Sequence, residues 1–475
     1  MSATRLVRRG VLIVVLLAAV IGIVPSTPSP PVAAQSTGLG AGGEYHPLTP
    51  TRILDTRERA LDVAPAGKKP TSPRSGSTFD FPVLGRGGVP RNADKVLAVV
   101  VSVVVIQPET RGFMTLYPKG ASAGTSSLIN FLPGRDVPNL AIVGVGNRGQ
   151  ITAKLTTGDP GRAHVAVDVF GWISTSSASE RGARVVGVRP GRIFDSREAG
   201  GALGSKSSVA LQIRGATARD ADYRPAVPDI VPDDPSVTGV IVNITAINNL
   251  PRAGQTYMSM SPQRVPPDAR GASTSNVNVG PGQIKPVMAI VPINQAGKVF
   301  LYNHKGPAHV AVDVLGYLRV PRDPTTTAGR IVPLESPFRV FDTRLPEFGS
   351  VPLGTKQAEN WSFKAFAESV TLDGQPVGAQ AGLFGNLTGT GLQRRVAWQP
   401  VSTYLSMYPG GRARPFTSNI NVVENEDVPN MALVNFGTVD KNPGDAVPPD
   451  PYVAQAFNNN GSLHYLLDVF AVILK

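Results

Sequence analysis

Apolar and polar positions alternate in short runs along most of the chain, and some runs are apolar on both sides. In HVAVDVFGW at 164–172, Val165, Val167 and Val169 fall on one side of an extended chain, with His164, Ala166, Asp168 and Phe170 on the other. The valine side is expected to be buried, and the mixed side to be covered only in part or to hold a polar cluster. At 100–105, VVSVVV is apolar on both sides and predicts a central strand of a two-layer core. Gly- and Pro-rich turns separate the runs, and no long helical period follows the N-terminal segment. The pattern predicts an all-β protein without helices, built from jelly-roll-like β-sandwiches.

The runs recur in a fixed order. PTRILDTR at 50–57 returns as PGRIFDSR at 190–197 and PFRVFDTR at 337–344. A closing run tracks it: HVAVDVFGWI from His164, HVAVDVLGYL from His309 and HYLLDVFAVI from His464. Between them lie GFMTLYP, TYMSMSP and TYLSMYP, then S-x-[IV]-N ending at Asn130, Asn278 and Asn421, then VPNLA, KPVMA and VPNMA. Three tandem units are therefore expected at 40–175, 184–320 and 330–475. The joints STSSASERGAR and RVPRDPTTTAGR are short, which predicts a compact or rod-like array. Each unit carries its own opening and closing strand, so residues 184–320 are expected to fold alone. Two Pro/Asp-rich stretches, DADYRPAVPDIVPDDPS and DKNPGDAVPPDPY, read as surface insertions.

The repeated polar residues are the candidate chemistry. They are Arg52, Asp55, Arg57, Asn130, His164 and Asp168 in the first copy, and Arg192, Asp195, Arg197, Asn278, His309 and Asp313 in the second. Arg339, Asp342, Arg344, Asn421, His464 and Asp468 complete the set in the third. Strict alternation puts Ile53, Asp55 and Arg57 on one strand face and Arg52, Leu54 and Thr56 on the other. A buried Asp must be paired, and Arg pairs it bidentately. The structural expectation is a network, with Asp195 and Arg197 largely buried, that ties each first strand to the last near Asp313. The functional alternative is a pocket for a sugar or a carboxylate. Asn243-Ile244-Thr245 and Asn386-Leu387-Thr388 match the glycosylation acceptor pattern but lie in strand-like runs and are discounted.

Each repeated His precedes an Asp by four residues, about 13 Å along a strand, which is too far for direct contact. No H-E-x-x-H, G-x-S-x-G or phosphate loop is present, so no metal or cofactor is called for. A secreted glycoside hydrolase using Asp55 and Asp168 is the least favoured reading, because three identical active sites in one chain are unusual.

Composition bounds location and partners. The chain of 475 residues has no cysteine, which excludes disulfide scaffolds, thiolate metal sites and cysteine nucleophiles. Arg5, Arg8 and Arg9 precede the apolar run Val11–Val24, and Val32-Ala33-Ala34 follows as a cleavage site. Residues 1–34 thus read as an export signal, or as an N-terminal membrane anchor if uncleaved. The net charge is +12, three of it from those arginines, which suits an anionic cell-wall polymer or glycan outside the cell; nucleic acid is not an expected partner.

The pairing of P-x-R-[IL]-[LF]-D-[TS]-R with V-D-V-x-G-[YW] resembles a tandem repeat of secreted actinobacterial proteins, sometimes appended to cell-wall hydrolases. The resemblance covers nearly the whole chain after residue 40. It implies an accessory extracellular module for surface attachment and brings no settled ligand. The third copy departs at DVFAV, where Ala471 stands in place of Gly171 and Gly316. If that Gly permits a bulge, the third copy is expected to have lost it. The leading expectation is a non-catalytic protein serving attachment or structure at the cell envelope. The alternative is a carbohydrate-binding protein with one shallow site per unit.

Overall fold

The computed structural model describes residues 42–57, 73–158, 160–176, 178, 180–219, 224–251, 253–266, 269, 271–272, 274–394, 401–440 and 447–475. The N-terminal apolar run and its cleavage site lie outside the described residues.

In the first repeat eight strands form: β1 (Tyr45–Asp55), β2 (Thr78–Pro82), β3 (Val96–Ile106), β4 (Gly112–Pro118), β5 (Ile129–Phe131), β6 (Val137–Gly144), β7 (Gln150–Thr157) and β8 (His164–Ser174). They make two antiparallel sheets, ordered β1-β8-β3-β6 and β2-β7-β4-β5. The opening strand thus pairs with the closing strand, and the connections cross between sheets, as in a jelly roll. The run apolar on both sides becomes β3, flanked by β8 and β6.

The second repeat gives the same order with Arg184–Asp195, His309–Arg319, Val237–Asn248 and Gln283–Pro292 in its first sheet. The third does so with Ile331–Asp342, Ser462–Leu474, Gln380–Gln393 and Val428–Asn435. Two details depart from expectation. A short α-helix, Lys364–Ser369, interrupts the third repeat. Part of the Pro/Asp-rich stretch of the second repeat is strand: Pro225–Val231 pairs with Ala216–Arg219, which in turn extends the first sheet past Arg192.

The first sheets of the three repeats meet at a three-way junction. The edge strand β6 and its counterparts Gln283–Pro292 and Val428–Asn435 each touch the other two. One apolar cluster draws on all three repeats, including Phe170 and Ile142, Met288 and Leu315, and Phe384 and Phe470. The second and third repeats also have separate cores between their own sheets. This packing corrects the reading of the closing strand. Its mixed side is not half-covered: Ala166, Asp168 and Phe170 are buried. At the opposite end, the backbone pairs Gly43 with Ile331 and Tyr45 with Ala183, so the entry segments of all three repeats are tied together.

Buried amides clamp two of the three contacts at the junction. Asn139 donates to Asn386 Oδ1 at 2.8 Å and accepts from the Met431 N–H at 3.0 Å, joining the first and third repeats. Asn430 donates to Asn243 Oδ1 at 2.9 Å and accepts from the Met288 N–H at 2.9 Å, joining the third and second. Ser127 and Ser418 carbonyls accept from Asn386 and Asn243 respectively. The corresponding positions between the second and first repeats are Val287 and Ser102, and the Leu140 N–H turns to Asn139 Oδ1 in its own repeat. The two discounted glycosylation matches are therefore clamp residues, fully buried.

Candidate functional site

The motif residues form the same network three times. In the second repeat Arg192 donates through Nε and Nη2 to both oxygens of Asp313, at 2.7 and 3.2 Å, and through Nη1 to Asp195 at 3.1 Å. Arg197 grips Asp195 from the other side, with Nε at 2.9 Å, Nη2 at 2.6 Å and its backbone N–H at 3.1 Å. Arg52, Asp55, Arg57 and Asp168 repeat the pattern in the first copy, and Arg339, Asp342, Arg344 and Asp468 in the third. Each opening strand is thereby fastened to its closing strand by a fork-shaped guanidinium between two carboxylates.

Strict alternation would keep the first Arg and the Asp on opposite faces. A β-bulge brings them together. Ile53, Ile193 and Val340 are each the extra residue, since Arg52 and Leu54 lie opposite the consecutive residues Asp168 and Val167, and the other copies do likewise. A second correction concerns Arg197: its carboxylate partner is fully buried, but the Arg197 side chain is 43% exposed, as Arg57 and Arg344 are at 45% and 46%. The buried guanidinium is the first one, Arg192.

A third correction concerns Ala471. The closing strand carries its own bulge at Phe170, Leu315 and Phe470, and the third copy keeps it. What the glycines provide is closeness. A Cβ at Gly171 would stand 2.4 Å from the Tyr45 ring, and one at Gly316 2.8 Å from the Val186 carbonyl, whereas Ala471 lies opposite Pro333.

The three histidines are structural pins. The hydroxyls of Thr56, Ser196 and Thr343 accept from the backbone N–H of Val165, Val310 and Tyr465 and lie 3.1, 3.0 and 3.2 Å from Nδ1 of His164, His309 and His464, and the His464 Nδ1 also lies 3.1 Å from the Thr343 carbonyl. Among the described residues no three His, Asp or Glu side chains gather in a way that would hold a metal ion.

Electrostatics follow from burial. Burial by itself lifts the Asp195 carboxyl, but hydrogen bonds from the Arg197 side chain and backbone, with the charges of Arg197 and Arg192, overcome this and hold it below its ordinary value. Asp55 and Asp342 behave alike, for the same reasons. Asp468 goes the other way: its burial outweighs Arg339 and the Ser127 N–H, and its carboxyl is pushed up. A depressed carboxyl contributes stability above its unfolded value and loses it as pH falls through the folded value, and a raised one has the opposite sign. Asp80, Asp234 and Asp323 are also held low and Asp373 is pushed up, so with six depressed against two raised among the described residues the melting temperature is expected to hold down to about pH 4 and to fall below it. Thermal melts at about pH 6 and about pH 3 check this; equal melting temperatures would contradict the assigned network.

The repeated Asn residues occupy different places. Asn421 reaches a cleft between the second and third repeats, where it meets Arg192, Arg197, Thr245, Tyr404 and Phe416 in a cavity of about 190 Å³. The Arg192 guanidinium lies over the Phe416 ring, 5.0 Å from its centre. Asn130 lines a second cavity at the junction, shared with Asn421. Asn278 pairs in register with Tyr257 and is half-buried. Sequence reading missed the clamp residues Asn139, Asn243, Asn386 and Asn430, and it missed the aromatic partners Tyr404 and Phe416. Half of the clamp had a signal: one Ser or Asn at the same place in each central run, Ser102, Asn243 and Asn386.

No family model matches the chain, and no curated protein matches it. Among solved structures, the N-terminal CBM22-1–CBM22-2 tandem domain of Xyn10C from Paenibacillus barcinonensis aligns at 12% identity over 56% of this chain and 98% of that one, with a TM-score of 0.14. A structure described as the triple jelly roll fold and turret assembly in an archaeal virus aligns at 8% identity over 91% of this chain and 90% of that one, with a TM-score of 0.15. A chain of Sulfolobus Turreted Icosahedral Virus aligns at 7% identity over 91% and 92%, also at 0.15. Scores of this size do not define a shared fold.

Proposed function

We propose that the chain is a non-catalytic attachment protein of the cell envelope, exported through its N-terminal segment, that holds a glycan in the cleft between its second and third repeats. One observation carries this reading: motif residues from two repeats, Arg192 and Arg197 from one and Asn421 from the other, converge there with two half-buried aromatic rings, Tyr404 and Phe416. Aromatic rings offer flat apolar faces to sugar rings, and Arg and Asn supply the oriented polar groups that fix a ligand. The site lies between repeats, not one within each.

The carboxylates argue against hydrolysis. A glycosidase needs one carboxylic acid free to protonate the leaving group and a second to act as base or nucleophile. Asp195 and Asp313 are both inaccessible and both held by Arg192. A purely structural role for the motif is the second reading, favoured by the burial of that network.

The test is an array of neutral and acidic oligosaccharides probed with the full chain and with Phe416→Ala. Binding by the parent, and its loss in the variant at an unchanged melting temperature, is the expected result. An array on which the parent retains no glycan, or on which the variant binds equally well, would leave the structural reading.

A further inference from the structure

Ile284 and Asn421 line both the cleft beside Arg192 and the cavity of about 310 Å³ at the three-way junction, so the two adjoin. Within the junction cavity, polar groups are left over. Lys285, half-buried on its wall, has no hydrogen-bond or ion-pair partner among the described residues. The amide oxygens of Asn130 and Asn421 are buried and accept no hydrogen bond. Native proteins pair nearly all such groups, and leaving them bare is unfavourable. Burial pushes the Lys285 amine below its ordinary range, with Arg135 acting in the same direction and Glu426 and Asp136 opposing it.

The remaining lining narrows the ligand. Arg135 is already paired with Glu426, and Asp427 accepts from the Thr390 hydroxyl. Arg135, Lys285, Glu426 and Asp427 together leave the lining formally neutral; Lys285 is the one uncommitted cation in it among the described residues and can meet one negative charge, while the two acidic side chains disfavour a doubly charged phosphate. Ile284 and Val423, exposed at 38% and 43%, put apolar surface at the rim where the face of a sugar ring would rest.

We propose that the junction cavity is an acidic-sugar subsite adjoining the cleft, in which Lys285 holds the carboxylate of a uronic-acid unit. The proposal rests on the reading of the cleft as a glycan site and adds to it the substrate class. All three repeats contribute to the subsite, so the ligand recognises the assembled junction rather than any one repeat.

The test uses the full chain in equilibrium binding with a tetramer of galacturonic acid and with the uncharged galactose tetramer. The acidic tetramer should bind about tenfold or more tightly, the size of a charged hydrogen bond. Lys285→Gln should remove the preference, and Lys285→Arg should keep it, with melting temperatures recorded for both. If Lys285→Gln unfolds the chain, the parent decides the matter: its preference must shrink in roughly 0.5 M salt. Equal binding of the two tetramers, or a preference untouched by Lys285→Gln or by salt, overturns the subsite and leaves the cleft standing. Binding of neither tetramer overturns the subsite and counts against the cleft as well.

Discussion

The melting temperature of the full chain is expected to drop by several degrees when Asp195 becomes Asn. The change keeps the shape of the side chain and removes its charge. Asp195 is fully buried between Arg192 and Arg197, and it accepts from both guanidinium groups and from the Arg197 backbone N–H. Removing one partner of a buried ion pair costs about 3–5 kcal/mol, because the other is left uncompensated. Here the Arg192 guanidinium, itself only 8% exposed, would keep Asp313 and lose its second carboxylate. Arg197→Gln is the comparison. Its side chain is half-exposed, and pairs of that kind contribute roughly 0–1 kcal/mol. Thermal melts of the two variants should therefore differ clearly, with Asp195→Asn the lower. A melting point for Asp195→Asn within about a degree of the parent, or equal damage from both, would remove the network from the list of what holds the fold together.

The second large effect concerns the middle repeat alone. Residues 184–320 have a core between their own two sheets, which includes Val242, Ile244, Val312 and Leu301. Cut free, they would also bare the side chains they give to the shared cluster: Ile241, Met288, Ile290, Leu315 and Leu318, all nearly inaccessible in the full chain. Full burial of such a side chain is worth about 1.5–3 kcal/mol. Asn243 would lose its partners Ser418 and Asn430 as well. The isolated repeat should therefore keep a β-rich circular dichroism spectrum, melt below the full chain and self-associate through the bared face. Light scattering and a thermal melt check this. A monodisperse monomer as stable as the parent would mean that the junction contributes little.

How much of this was legible follows from where each residue's partners lie. The strands, their repetition and the link between first and last strand depend on local alternation and on motifs that recur within the chain. The pairing of Arg192 with Asp195 did not follow from alternation, because a bulge at Ile193 changes the phase in the middle of the motif and leaves no mark in the residue pattern. The burial of Ala166 and Phe170 was hidden for another reason. Phe170 lies in the cluster that the three repeats share and Ala166 clusters with Val104 and Ile106 of the neighbouring strand, and periodicity describes a strand without saying what lies above it. The cleft was out of reach for the same cause: Arg192 and Phe416 are more than two hundred positions apart, and only the junction brings them into contact.

Phe416 has one further consequence. Counting back five positions from the repeated Asn, the first and second copies carry Thr125 and Ser273 where the third carries Phe416. The guanidinium-on-ring contact that shapes the cleft is thus written into one of three equivalent places. Threefold repetition of sequence then does not give three equal clefts. If the proposed cleft is the glycan site, one chain would engage one glycan strand, and avidity would come from many chains standing side by side on a surface. Such a chain would coat a polymer without cross-linking it.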